Sequence, residues 1–249
     1  MHDGATRQRG TQAGVTLVEL LVSMIILAVI TTMLVVTWIS LQSSYAQTVN
    51  ADNARSSARD ALTRISSEIR GAQPSPGATA GSAVFTVANQ WEVDFYSSYK
   101  QPGTSADGTG TGALALTRIY LGNPDGTTPP LTTAPYQKNL FWQRDTAAPI
   151  GSFTSADRSV VLATNVVNTG LADTSVTPNT TYTAIFRYAT RDATSGDLVW
   201  TDNNDGSLNS NLAKIVAVNV RLLIDANLNH SPTRIDLQTL VSPRNAPQN

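Results

Sequence analysis

The period of the apolar positions changes twice along this chain, and each change marks a boundary. From Val15 to Leu41 about 27 residues run without Pro, Gly or any charge except Glu19. At 1.5 Å per residue a helix over this stretch spans about 40 Å, enough to cross about 30 Å of hydrocarbon. Hydroxyls at Thr31, Thr32, Thr37 and Ser40 are tolerable there, because each can bond a carbonyl one turn earlier. From about Ser43 to Arg70 the pattern becomes amphipathic, with Ala51, Ala54, Ala58, Leu62, Ile65 and Ile69 stepping by three and four. That stripe predicts a core-facing helix; Arg55, Arg59, Arg64 and Glu68 read as its solvated side. Gly71 and Pro74-Ser75-Pro76-Gly77 end the helical pattern.

Beyond Pro74 the period is two. Trp91, Val93 and Phe95 alternate with Glu92, Asp94 and Tyr96, which predicts a half-buried strand. Further strands are expected over 83–88, 114–121, 139–143, 159–167, 184–190, 213–224 and 234–242, separated by Gly, Pro, Asn and Asp clusters. With no crossover helices between them they should pair antiparallel. The expected fold is α+β: a long amino-terminal helix, half of it membrane-length and half amphipathic, packed on an antiparallel sheet. The expected divisions are a leader over 1–14, a membrane helix over 15–41, an amphipathic helix over 42–71 and a β-rich globular part over 72–249.

Glu19 is the anomaly in this pattern. A charge at mid-bilayer depth costs about 2.5–3.5 kcal/mol on insertion scales and calls for a partner. Ahead of it, Met1 to Gly14 carries Arg7 and Arg9 against Asp3, which keeps the leader on the cytoplasmic side and sends the bulk of the chain outward. A conventional secretory signal has an apolar core of about 7–15 residues and a small-residue cleavage site. This run is longer, lacks that site and continues into helix.

Gly14-Val15-Thr16-Leu17-Val18-Glu19-Leu20-Leu21 resembles the class III signal of type IV pilins and type II secretion pseudopilins. The resemblance implies cleavage between Gly14 and Val15 by a prepilin peptidase, methylation of the new amino terminus at Val15, and a mature chain whose fifth residue is Glu19. It further implies that Glu19 compensates the positive amino terminus of a neighbouring subunit, so that two opposite charges are buried together rather than one alone. Val15 stands where family members most often have Phe, and no Pro interrupts the helix, so an unbroken helix is expected. At the other end, 214–224, a turn and 234–245 are similar to the terminal hairpin of large minor pilins and minor pseudopilins, the J-type pseudopilins and W-type minor pilins among them. The stretch between about Ser75 and Asn209 resembles no family.

The resemblance implies a structural, non-enzymatic minor subunit of a type IV pilus or type II secretion pseudopilus, as a priming or tip component. Its partners would be other pilins or pseudopilins through the amino-terminal helix, the prepilin peptidase and the inner-membrane assembly machinery. It would reside in the bacterial cytoplasmic membrane as a single-pass protein with an extracytoplasmic head, and in the filament after assembly. The alternative is an anchored binding or adhesion protein that never polymerises.

Composition narrows the chemistry. The chain has 17 Lys and Arg against 18 Asp and Glu, a net charge of −1, and no Cys. Disulfides and thiolate metal sites are therefore excluded, and no basic stripe suggests nucleic acid as a partner. Asp202-Asn203-Asn204-Asp205-Gly206 supplies the oxygens a calcium ion favours but lacks the full loop spacing and its distal Glu. Asp202, Asn204 and Asp205 thus form a minor cation candidate, and the run reads more simply as a turn. Gly108 to Ala113 holds a nominal G-x-G-x-x-A, without the preceding strand and following helix that a dinucleotide site requires. His230 lies in an expected turn with no nucleophile beside it in sequence, and Trp38, Trp91, Trp142 and Trp200 read as core or interface aromatics. No cofactor and no catalytic set is expected.

Overall fold

The computed structural model describes residues 16–79, 81–97, 114–123, 138–145, 153, 157–170, 182–203, 205–225 and 234–246. The chain divides into two compact units, Met1–Thr48 and Val49–Asn249. A single helix, α1 (Leu17–Arg70), supplies all the described secondary structure of the first unit and the opening element of the second. It ends where expected: the Gly71 N–H reaches the Ser67 carbonyl at 3.1 Å, and the Arg244 N–H caps the Arg70 carbonyl at 3.3 Å.

Within the second unit the described strands are β1 (Ala72–Gln73), β2 (Phe85–Ala88), β3 (Glu92–Ser97), β4 (Ala115–Gly122), β5 (Lys138–Arg144), β6 (Arg158–Val166), β7 (Phe186–Arg191), β8 (Leu198–Thr201), β9 (Ile215–Asp225) and β10 (Arg234–Val241). They form one antiparallel sheet in the order β1-β3-β4-β5-β6-β9-β7-β8, with β2 also on β3 and β10 on β9. The terminal hairpin is the longest register, running from Arg234↔Asp225 to Val241↔Val218. The fold is α+β, as the change of period predicts.

The helix enters the core through its stripe. Ala58, Ala61, Leu62, Ile65 and Ile69 pack with Val93, Phe95, Ile119, Leu121, Leu140 and Trp142 of the sheet, an arrangement in which apolar burial contributes about 25 cal/mol per Å². Phe85 makes edge-to-face contacts with Phe95 at 6.2 Å and Tyr188 at 6.3 Å between ring centroids. Two buried asparagines staple the loops. Asn168 donates to the carbonyls of Thr183 (3.1 Å) and Arg221 (3.0 Å) while its oxygen accepts the Leu223 N–H at 2.8 Å. Asn203, at φ 53°, accepts the Leu208 N–H at 2.7 Å and donates to the Ala88 carbonyl and to Asn209.

Three expectations are corrected. β3 is not half-buried: Asp94, Tyr96 and Ser97 are buried along with Val93 and Phe95. Its polar side is tolerated because Arg118, directly across on β4, grips the Asp94 carboxylate through Nε at 3.1 Å and Nη2 at 3.0 Å. The same guanidinium meets Glu92 at 2.8 Å and lies under the Phe153 ring at 4.1 Å. Glu68 is not on the solvated side of α1 but fully buried. It follows Ile65 by three residues and Ala61 by seven, and so falls on the apolar stripe itself. β1 and β8 were not expected. The first is two residues beside a helix end, and the second sits in a Gly, Asp and Asn cluster that reads as loop.

Candidate assembly segment

From Thr16 to Asn50 every residue of the helix and its cap is exposed. The apolar side chains range from Leu17, 83% exposed, to Val49, 38%. α1 is long and apolar enough over this stretch to cross a membrane, and among the described residues none of its apolar window is buried. So much contiguous apolar surface marks contact with lipid or other proteins. Polar groups inside it are satisfied locally. The hydroxyls of Thr31, Thr32 and Thr37 each donate at 2.8 Å to the carbonyl four residues earlier, and Ser23 and Ser43 bond three residues back.

Glu19 lies in the first turn of α1, where the unsatisfied N–H groups and the positive end of the helix dipole favour a carboxylate. Thr16 precedes the helix as its cap: its Oγ1 accepts the Glu19 backbone N–H at 3.3 Å. This is one half of the capping box, in which a Thr is followed three residues later by a Glu. The pair is visible in the sequence as Thr16-Leu17-Val18-Glu19, and it gives this turn a local role in starting the helix beside the role in assembly expected of the Glu19 charge. Gly14 and Val15, the expected cleavage and methylation positions, lie outside the described residues.

Residues 9–35 match the prokaryotic N-terminal methylation motif. The methylation motif thus covers the end of the expected leader, Gly14, Val15, Glu19 and about half of the exposed apolar segment. It supports a type IV pilin-like class III signal, an amino-terminal membrane anchor and assembly with pilin-like subunits after processing by a prepilin peptidase. No curated protein and no solved structure matches the chain.

The other expected sites have local explanations. Asp202 accepts the Tyr182 hydroxyl at 3.0 Å, and burial, then the charge of Asp202, raises the Tyr182 pKa. Asp205 accepts the Ser207 N–H at 3.0 Å, which holds its carboxyl below the ordinary range. Asn204, His230 and the segment 108–113 lie outside the described residues. Among the described residues no three His, Asp or Glu side chains converge as a metal site. Trp91 and Trp142 are core residues, Trp38 is 64% exposed on the apolar segment, and Trp200 is half-buried on β8.

Two further features carry polar chemistry in the second unit. A cavity of about 380 Å³ lies between α1 and the sheet, lined by Asn50, Asn53, Ser57, Thr164 and Asn165 above Ile224, with no titratable side chain in its wall. The other is the cluster around Glu68. Its Oε2 accepts the Ser97 hydroxyl at 3.0 Å, and Ser97 is 3.4 Å from Thr117 Oγ1. Arg144 donates to the Ser97 carbonyl at 3.0 Å, and Arg64 lies over the Trp142 ring at 4.4 Å. The Trp142 indole N–H approaches the carboxylate without closing a hydrogen bond, leaving it and Oε1 both buried and unsatisfied. Burial raises the Glu68 pKa against the lowering effects of Ser97, Arg144 and Arg64. The arrangement fixes the helix to β3, β4 and β5 by polar contacts, with Glu68, Ser97 and Thr117 all buried.

Proposed function

We propose that the chain is a minor subunit of a type IV pilus or type II secretion pseudopilus, acting as a priming or tip component rather than as an enzyme. The observation that carries this reading is the coincidence of the methylation motif with a helical stretch, residues 17–41, whose apolar residues are bare and whose first turn holds its one charge, Glu19. In this reading the prepilin peptidase cuts between Gly14 and Val15 and methylates Val15. The leader stays cytoplasmic and the β-rich unit lies outside. Apolar helices of neighbouring subunits then cover one another, and Glu19 meets the cationic amino terminus of a neighbour, which offsets the desolvation of both charges. The size of the β-rich unit suits a low-copy component with a displayed head.

Replacing Glu19 tests the proposal. In cells with an active peptidase, Glu19→Ala should insert and be processed normally yet be lost from sheared filaments or cross-linked pseudopilus complexes. An anchored binding protein that never polymerises would behave like wild type in both assays. An intact mass that retained residues 1–14 in such cells would overturn the proposal.

A further inference from the structure

Among its described residues the β-rich unit has an unguarded sheet edge. β8 ends the strand order and, among the described residues, pairs only with β7, from Tyr188↔Thr201 to Arg191↔Leu198. Alternate residues of such a strand turn N–H and C=O groups outward, a template for another strand. Folded proteins usually protect such edges with charge or Pro. β10 follows that rule in part, since charged or polar Arg234, Asp236 and Gln238 stand among its exposed positions beside Leu240, and Asp236 pairs with Arg221 at 2.7 Å. β8 does not: Leu198-Val199-Trp200-Thr201 has no charge, and Leu198 and Val199 are 46% and 50% exposed.

The edge is also held in shape. Asp192 Oδ1 accepts the N–H groups of Thr194 and Ser195, each at 2.8 Å, and the Asp192 N–H closes the hairpin on the Asp197 carbonyl at 2.9 Å. Gly196 takes φ +74°, which a side chain would resist. A strand presented by a rigid turn loses little freedom on pairing. Asp192 and Asp197 stand at one end of β8, and Asp202 and Asp205 follow the other, against Arg191.

We propose that the outer edge of β8 receives an extended apolar segment of a partner protein, flanked by basic residues, which adds to the sheet as an antiparallel strand. Main-chain hydrogen bonds would supply affinity and the exposed Leu198 and Val199 the apolar contact. The acidic ends select the partner. A second copy of this chain pairing β8 with β8 would bring Asp197 of one beside Asp202 of the other, a like-charge contact that disfavours self-association. The inference is independent of the filament reading, because it uses only the β-rich unit.

The test uses the full chain in phosphocholine micelles and a seven-residue peptide of alternating valine and threonine with lysine at both ends. The lysine peptide should slow amide exchange over 198–201 and bind at least about tenfold more tightly than the same peptide ended in glutamate, a gap that high salt narrows. Val199→Lys should abolish the protection without moving Tm. Should that variant fold poorly, Asp197→Asn should keep binding but shrink the preference for lysine. Absence of protection at 198–201, equal binding of the two peptides, or a dimer that Val199→Lys dissolves would each overturn the proposal.

Discussion

Residues 17–48 and 51–70 belong to one helix, yet the more apolar stretch is bare and the more polar stretch holds every buried residue of the helix. Leu34 is 65% exposed, whereas Glu68, a carboxylate, is 0% exposed. The difference lies in what each stretch can find within its own chain. Ile65, Glu68 and Ile69 meet a sheet that offers apolar side chains, the Ser97 hydroxyl and the Arg144 guanidinium. The apolar residues from Leu17 to Leu41 are exposed among the described residues, so the hydrophobic effect there stabilises association or insertion rather than folding. Burial thus reports a complementary surface, and bare apolar surface reports a partner supplied from outside.

The strongest way to break that comparison is to remove Glu68. Glu68→Ala leaves the Arg64 and Arg144 guanidiniums beside a buried void, and loss of one partner from a buried charged cluster costs about 3–5 kcal/mol. Chemical denaturation of the full chain, read by Trp142 fluorescence, should show that loss. Leu34→Ala, a larger apolar truncation on the bare half, should leave the same transition unmoved. If the two variants shifted it equally, the halves would not be energetically distinct.

How far this was legible in the sequence follows from the same contrast. The exposed half was readable because an apolar run with one charge needs no tertiary information. Gly14, Val15 and Glu19 are contiguous with it, and the methylation motif covers the same residues. Most strands were readable because period-two alternation is local. Glu68 was misread as solvated because its charge outweighed its position, although its spacing from Ala61 and Ile65 put it on the stripe. Asp94 was misread because the partner that makes its burial tolerable, Arg118, is 24 residues away and is brought opposite only by the β3–β4 register. β8 was invisible because four residues in a polar cluster carry too little pattern to stand out.

The Asp94 pair sharpens the comparison through pH. Burial, working against the Arg118 hydrogen bonds and charge, raises its pKa from 3.8 to about 6. The folded state therefore holds the proton to higher pH than the unfolded chain does. Its contribution is most favourable below about pH 4 and is lost as pH rises through about 6. The total is about 3 kcal/mol on the conversion of about 1.4 kcal/mol per unit. Denaturation midpoints of wild type and Asp94→Asn between pH 4 and 7 should diverge over that window, with the wild type falling relative to the variant. No substitution between 17 and 48 should alter this profile, because the groups responsible all lie in the β-rich unit.

The smallest expected effect lies at the start of the bare half. Thr16 accepts the Glu19 N–H, and removing a Thr cap costs a helix about 1 kcal/mol. Thr16→Ala should therefore fray the first turn, seen as faster amide exchange at 18–20 in micelles, with no change in unfolding of the β-rich unit. Thr16→Ser, which keeps the oxygen, should restore protection. Because the cap and the Glu19 carboxylate share one turn, Thr16→Ala should also weaken filament incorporation, by less than Glu19→Ala and without blocking cleavage at Gly14. An incorporation defect in Thr16→Ala that Thr16→Ser rescued would tie assembly to the geometry of that turn; a defect that Thr16→Ser shared would place the requirement in the threonine methyl group instead.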